Sequence, residues 1–142
     1  MIFWDASALV PLCVAESSTK SLRALMQSEG PHAGWLLSAT EILSAVARRH
    51  REGDIDEDGL FSARKRRDSL LSSMYIVSDV GEALRRAERL LLVHPLRAAD
   101  SLQLGAALIA VADNPEGNLF VTLDDRLGAA ARREGFSLAS PL

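Results

Sequence analysis

Short apolar runs along the chain stand apart from longer stretches in which apolar residues recur every three or four positions. This is the pattern of buried strands separated by amphipathic helices. Met1 to Trp4 reads as a strand ending at Asp5, followed by a helical turn or two through Ala8, Leu9, Val10 and Leu12, with Pro11 tolerated near the start. Ser17 or Ser18 can cap a helix running to about Glu29, with Leu22, Leu25 and Met26 inward, and Gly30-Pro31 stops it. His32 to Leu37 is a second strand. Ser38-Ala39-Thr40-Glu41 has the spacing of a capping box and opens a helix from about Ala39 to Glu52, with Ile42, Leu43, Val46 and Ala47 as its inner stripe. After an acidic connection, Gly53 to Gly59, comes a helix from about Leu60 to Ser72.

Tyr75 to Val77 is a third strand, and Asp79 an N-cap for a helix from Val80 to Val93 with Ala83, Leu84, Ala87, Leu90 and Leu91 at helical spacing. His94-Pro95 ends that helix. From Ala98 to about Ala112 the pattern is apolar almost all round, so this helix is buried on more than one side, centrally or at a subunit interface. Asn114 to Asn118 is a turn, Leu119 to Leu123 a strand, Asp125 to Glu134 a helix closed by Gly135, and Phe136 to Ala139 a last short strand. Alternating strands and helices imply right-handed βαβ units, hence a parallel sheet in a three-layer α/β/α sandwich with all strand carboxyl ends on one rim.

The chain has 142 residues, 48% of them hydrophobic and 25% charged, enough to build one core over residues 1–142 without disulfides or a structural metal. Cys13 is the single cysteine, which suits a reducing cytoplasm. The longest weakly polar run, Leu104 to Ala112, is far shorter than the roughly 18–20 residues that span a bilayer, and Met1 to Asp5 has no basic segment ahead of an apolar one. Neither a membrane span nor a standard export signal is expected. The net charge of −3 does not announce a nucleic-acid binder, but the basic residues cluster at Arg48-Arg49-His50-Arg51 and Arg64-Lys65-Arg66-Arg67. Such clusters are ordinarily solvated helix faces; a track for a phosphate backbone is the alternative.

Ligands of open parallel sheets bind outside the strand carboxyl ends. Four carboxylates fall there: Asp5 after the first strand, Glu41 at the start of the helix after the second, Asp100 in the first turn of the apolar helix, and Asp124 after Leu119 to Leu123. Singly, each is explained by the preference of acidic side chains for helix N-termini. Together they repel, since two unit charges about 4 Å apart cost something like 4 kcal/mol at an effective dielectric near 20. A hard divalent cation resolves the conflict, and all-oxygen ligands favour Mg²⁺ or Mn²⁺.

Four motifs carry a resemblance: Ile2-Phe3-Trp4-Asp5-Ala6-Ser7-Ala8-Leu9-Val10, Ser38-Ala39-Thr40-Glu41, His94-Pro95-Leu96-Arg97-Ala98-Ala99-Asp100-Ser101-Leu102-Gln103-Leu104 and Phe120-Val121-Thr122-Leu123-Asp124-Asp125-Arg126-Leu127. In this order, spanning the chain, they resemble a PIN-domain ribonuclease, and more narrowly the VapC toxins of type II toxin–antitoxin pairs. The resemblance implies a PIN-like fold and an endoribonuclease dependent on Mg²⁺ or Mn²⁺ that hydrolyses RNA phosphodiesters through metal-activated water. It implies catalytic Asp5, Glu41, Asp100 and Asp124, with Asp5, Asp100 and Asp124 as the more direct metal ligands and Glu41 acting through water. Ser7 and Thr122 match supporting polar positions, Asp125 a helix cap, and Arg48, Arg49, Arg51, Arg64, Arg66 and Arg67 are candidates for RNA contact. A tRNA or rRNA target, a cognate antitoxin, a homodimer and a cytoplasmic location follow from the same likeness. Relatives commonly carry a basic residue where this chain has Pro11, which removes one phosphate contact.

Other chemistries fit less well. Asp54, Asp56, Asp58 and Gly59 begin like a calcium loop, but Lys65 stands at the twelfth position where a glutamate is required. An aspartate after the first strand also suits a phospho-acceptor domain, yet no lysine follows Lys65. A non-catalytic interaction or nucleic-acid-binding module is the second reading, although a scaffold gains nothing from clustered carboxylates. Phosphate-loop and dinucleotide motifs are absent. Cys13, Trp4 and Trp35 read as core, His94 as structural, and His32 and His50 lack partners at metal-ligand spacing.

Overall fold

In the first strand, β1 (Ile2–Trp4), successive side chains point to opposite faces, and all three are apolar and buried. A strand apolar on both faces can rest only in the middle layer. The computed structural model, which describes residues 1–139, places it there. The other elements are α1 (Ala6–Cys13), α2 (Thr19–Met26), β2 (His32–Trp35), α3 (Ser38–Arg51), α4 (Glu57–Ser72), β3 (Tyr75–Val77), α5 (Val80–Val93), α6 (Ala98–Ala110), β4 (Leu119–Val121), α7 (Asp125–Glu134) and β5 (Ser137–Leu138). The five strands form one sheet in the order β3-β2-β1-β4-β5, with every pairing parallel. On one face Phe3, Ala33, Trp35, Val77 and Phe120 pack against α5, α6 and α7; on the other Ile2, Trp4 and Val121 pack against α1 to α4. This is the three-layer α/β/α sandwich that the alternation implies.

The strand order reverses between β1 and β4, the position where open α/β sheets leave a crevice for ligand. Asp5 follows β1 and Asp124 follows β4, so topology alone brings these two carboxylates to the switch point. Phe3 and Phe120 stack across the two strands with centroids 5.6 Å apart, which fixes their register beneath it.

α6 is central: Leu104, Ala106, Ala107 and Leu108 are buried within this one chain, which decides between the two readings of its apolar pattern. It packs on α5 at close range, because a Cβ at Gly105 would lie 3.0 Å from the carbonyl oxygen of Ala83 and 3.4 Å from Cβ of Arg86. The α5 boundaries agree with the sequence reading, as does the Asp79 cap, whose Oδ1 accepts from the Glu82 amide at 3.1 Å. The inner stripe differs: Ala83, Ala87 and Leu90 are buried, whereas Leu84 and Leu91 are exposed, because close approach to α6 selects small residues. α7 ends as expected at Gly135, in the left-handed conformation at φ 114°.

Other boundaries move. Pro11 lies well inside α1 rather than near its start, and α2 ends at Met26, short of Glu29. Strands β2 and β4 stop at Trp35 and Val121, two residues early in each case, which frees the segments that follow to build the site. α4 begins at Glu57, since Asp56 caps it by accepting from the Gly59 amide at 2.8 Å, so the acidic connection is shorter than predicted.

Gly105→Ala should gain about 1 kcal/mol of helix propensity and lose about 1–3 kcal/mol to overpacking against α5. The expected outcome is a lower urea midpoint with an unchanged slope; a higher midpoint would mean that α5 yields freely.

Candidate active site

Asp5 is 4% exposed and organises one half of the site. Ser7 Oγ and Thr122 Oγ1 both donate to its Oδ2, at 2.6 and 2.8 Å. The two hydroxyl oxygens lie 3.1 Å apart, but with Asp5 ionised both protons are committed to the carboxylate. Each hydroxyl accepts in turn from the backbone: the Leu123 amide donates to Ser7 and the Asp124 amide to Thr122, both at 3.0 Å. Two amide-to-hydroxyl-to-carboxylate relays therefore tie the segment after β4 to the segment after β1. Asp5 is the N-cap residue of α1, yet its carboxylate is held by these hydroxyls.

Asp124 is the N-cap of α7, and its Oδ1 takes the amides of Arg126 and Leu127 at 2.9 and 3.0 Å. The cap expected at Asp125 therefore belongs to Asp124. Both bonds fall on one oxygen, leaving Oδ2 without a hydrogen-bond donor among the described residues.

The capping box at Ser38 and Glu41 does not form. The helix starts one residue earlier, with Leu37 as a cap that makes no side-chain bond, and Ser38 is fully buried. Glu41 Oε2 instead accepts from Gln103 Nε2 at 3.0 Å. The capping-box explanation of this glutamate is thereby removed. Asp100 lies half-buried in the first turn of α6.

These four groups feel one another. Burial pushes the Asp5 carboxyl up; the Ser7 and Thr122 hydroxyls oppose this, and Asp100 adds to it. Burial likewise raises Glu41, opposed by the Gln103 hydrogen bond and reinforced by Asp5 and Asp100. Asp100 is raised by burial and then by Asp124. All four sit at helix N-termini, whose partial positive charge offsets part of the repulsion. The donors are all oxygen, and among the described residues no three His, Cys, Asp or Glu side chains form a ready-made cage. An all-oxygen donor set is the kind that a hard cation takes.

The basic clusters divide. Arg49 pairs with Glu16 at 2.8 Å and reaches Asp54 at 3.4 Å, Arg66 donates to the Cys13 carbonyl at 3.2 Å, and Arg67 to the Ala39 carbonyl at 3.2 Å. Arg66 and Arg67 thus tie α4 to α1 and α3, and Arg49 ties α3 to the connections holding Glu16 and Asp54. Arg48, Arg51 and Arg64 are exposed. Trp4 and Trp35 are core, and Cys13 is buried, its thiol pushed up to about 11 by burial. His94 Nε2 lies 2.6 Å from Glu134 Oε2, a structural contact between the end of α5 and α7. Gln103 is the residue that sequence reasoning missed; a lone amide on an apolar helix, three positions beyond Asp100, was the available signal.

No protein-family model matches the chain. Ribonuclease VapC47 of Mycobacterium tuberculosis is 30% identical over 147 residues, covering 99% of this chain and 97% of that protein. The chain belongs to the VapC ribonuclease family. Ribonuclease VapC45 of the same organism is 28% identical over 139 residues, 98% of this chain and 94% of that protein. A toxin–antitoxin complex from Klebsiella pneumoniae shares the fold at a TM-score of 0.67 and 16% identity, over 100% of this chain and 98% of that one. The VapC likeness covers both halves of the acidic site.

A carboxylate raised in the folded state costs stability when ionised. The contribution of Asp5, Glu41 and Asp100 to stability therefore falls as pH rises from the ordinary carboxylate range to their raised folded-state values, and levels off above them. In metal-free protein at pH 7, Asp100→Asn should raise the melting temperature by a few degrees and flatten that pH dependence. An unchanged or lower melting temperature in calorimetry would show that Asp100 is not under repulsion.

Proposed function

We propose that this VapC-family chain is the toxin of a toxin–antitoxin pair, a Mg²⁺- or Mn²⁺-dependent endoribonuclease that hydrolyses RNA phosphodiester bonds. The observation that carries the reading is that four carboxylates from four separate elements converge near the switch point of the sheet, with Asp5, Glu41 and Asp100 raised by burial and by neighbouring carboxylates, while Glu41 has no capping role. Asp5, Asp100 and Asp124 would hold the cation, with Glu41 at its water shell. When bound, the cation supplies a Lewis acid that makes water a stronger nucleophile at neutral pH and neutralises charge developing on the scissile phosphate. Ser7 and Thr122 fix the Asp5 carboxylate by binding one oxygen, and the Asp124 cap does the same through the α7 amides. These groups pre-order the negative site, so little reorganisation is left for the reaction.

The remaining parts of the reading rest on less. Exposed Arg48, Arg51 and Arg64 support contact with an RNA backbone, tRNA or rRNA being the expected targets. Val80, Leu84 and Leu91, exposed together on one face of α5, support a homodimer. The ribonuclease relatives and the structural neighbour from a toxin–antitoxin complex support an RNA substrate and an antitoxin partner. Among the described residues no helix is long and apolar enough to cross a membrane, and a cytoplasmic location is part of the proposal.

Purified protein incubated with end-labelled cellular tRNAs and rRNA fragments should give discrete cuts with Mg²⁺ or Mn²⁺ and none with EDTA. Asp5→Asn should slow cutting by roughly 100-fold or more, the scale of losing one preorganised electrostatic group. Cuts that persist in EDTA, or in Asp5→Asn at the wild-type rate, would overturn the assignment.

A further inference from the structure

Gln103 is 1% exposed on a helix otherwise lined with small and aliphatic residues. Its Nε2 donates both hydrogens, one to Ser38 Oγ and one to Glu41 Oε2, each at 3.0 Å. Its Oε1 is buried with no partner. Packing gives no reason for an amide here, because a leucine or methionine would occupy similar space without burying an unpaired acceptor. The orientation has one evident cause. Turned over, the amide would set its carbonyl oxygen against a carboxylate oxygen with no proton between them, so the carboxylate dictates which end faces α3.

We propose that Gln103 is a positioning residue for the acidic site: its amide clamps Oε2 of Glu41, leaving Oε1 as the oxygen open to a cation's water shell. Asp100 lies three residues earlier on α6, and residues three apart share a helix face. One helix therefore supplies a proposed metal ligand directly and fixes a second carboxylate from α3. A shift of α6 relative to α3 would disturb both at once. The inference rests on the metal-dependent reading above and adds to it a residue that touches neither metal nor RNA.

The test is Mn²⁺ titration of the purified full chain by calorimetry, for wild type, Asp100→Asn, Gln103→Met, Glu41→Gln and the double variant Glu41→Gln/Gln103→Met. Melting curves accompany each, with Gln103→Leu as a second apolar replacement should Gln103→Met fail to fold. Gln103→Met should weaken Mn²⁺ binding about tenfold, the usual scale for a residue that orients a ligand. In the Glu41→Gln background the same change should matter less than about twofold, because its target has already been removed. An equal loss in both backgrounds would make Gln103 a packing residue, and no loss in either would leave it without a role; both overturn the inference. Mn²⁺ binding that Asp100→Asn weakens and Gln103→Met does not would overturn this inference alone. Absence of Mn²⁺ binding by wild type would overturn the metal-dependent reading and this inference with it.

Discussion

Burial of carboxylates beside one another, Asp5, Glu41 and Asp100 with Asp124 next to Asp100, is the constraint on which the rest of the site depends. A short parallel sheet with its order reversed between β1 and β4 delivers two of them to one crevice, and the helices that follow β2 and precede β4 deliver the others. Nothing in the packing requires that convergence. Asp5, Glu41 and Asp100 cost stability through burial and through their neighbours, yet three of the four carboxylates have one oxygen held by built-in donors: the Ser7 and Thr122 hydroxyls on Asp5, the Gln103 amide on Glu41, and the α7 amides on Asp124. A carboxylate held by one oxygen at a helix N-terminus keeps its other oxygen for a further partner, which is the role the proposed cation would take.

Beneath the crevice the two cores provide the stiffness. Phe3 stacked on Phe120 ties β1 to β4, and the relays from the Leu123 and Asp124 amides through the hydroxyls tie the segments that leave those strands. On the α5–α6–α7 face, contact close enough to crowd a Cβ at Gly105 holds α6 against α5, and α6 carries both Asp100 and Gln103. Charge in the crevice is thus referred back to apolar packing through short rigid connections.

Much of this was legible in the chain. The α5 and α7 boundaries, the Asp79 cap and the Gly135 terminus came from local chemistry, which sequence records directly. The strands were read too long at His32–Leu37 and Leu119–Leu123 because Leu36, Leu37 and Leu123 are apolar yet exposed beside the crevice, where periodicity misleads. Ser38 and Glu41 matched a capping box by spacing, but tertiary contact with Gln103 took the glutamate away from that local bond. Leu84 and Leu91 matched an inner stripe, but the tightness of the α5–α6 contact, which no single-helix pattern encodes, turned them outward. The positions of Asp5 and Asp124 were legible because each follows a strand, at the edge where the strand-end rule looks. Gln103 was not, because its partner lies 62 residues away.

Crystallography of the protein soaked in Mn²⁺, with anomalous diffraction to locate the ion, tests the central claim most directly. The account predicts an anomalous peak among Asp5, Asp100 and Asp124, within about 2.0–2.2 Å of at least one carboxylate oxygen and otherwise surrounded by water. A clean map with ordered carboxylates and no peak there, or a peak only at the acidic connection of Asp54, Asp56 and Asp58, would contradict it.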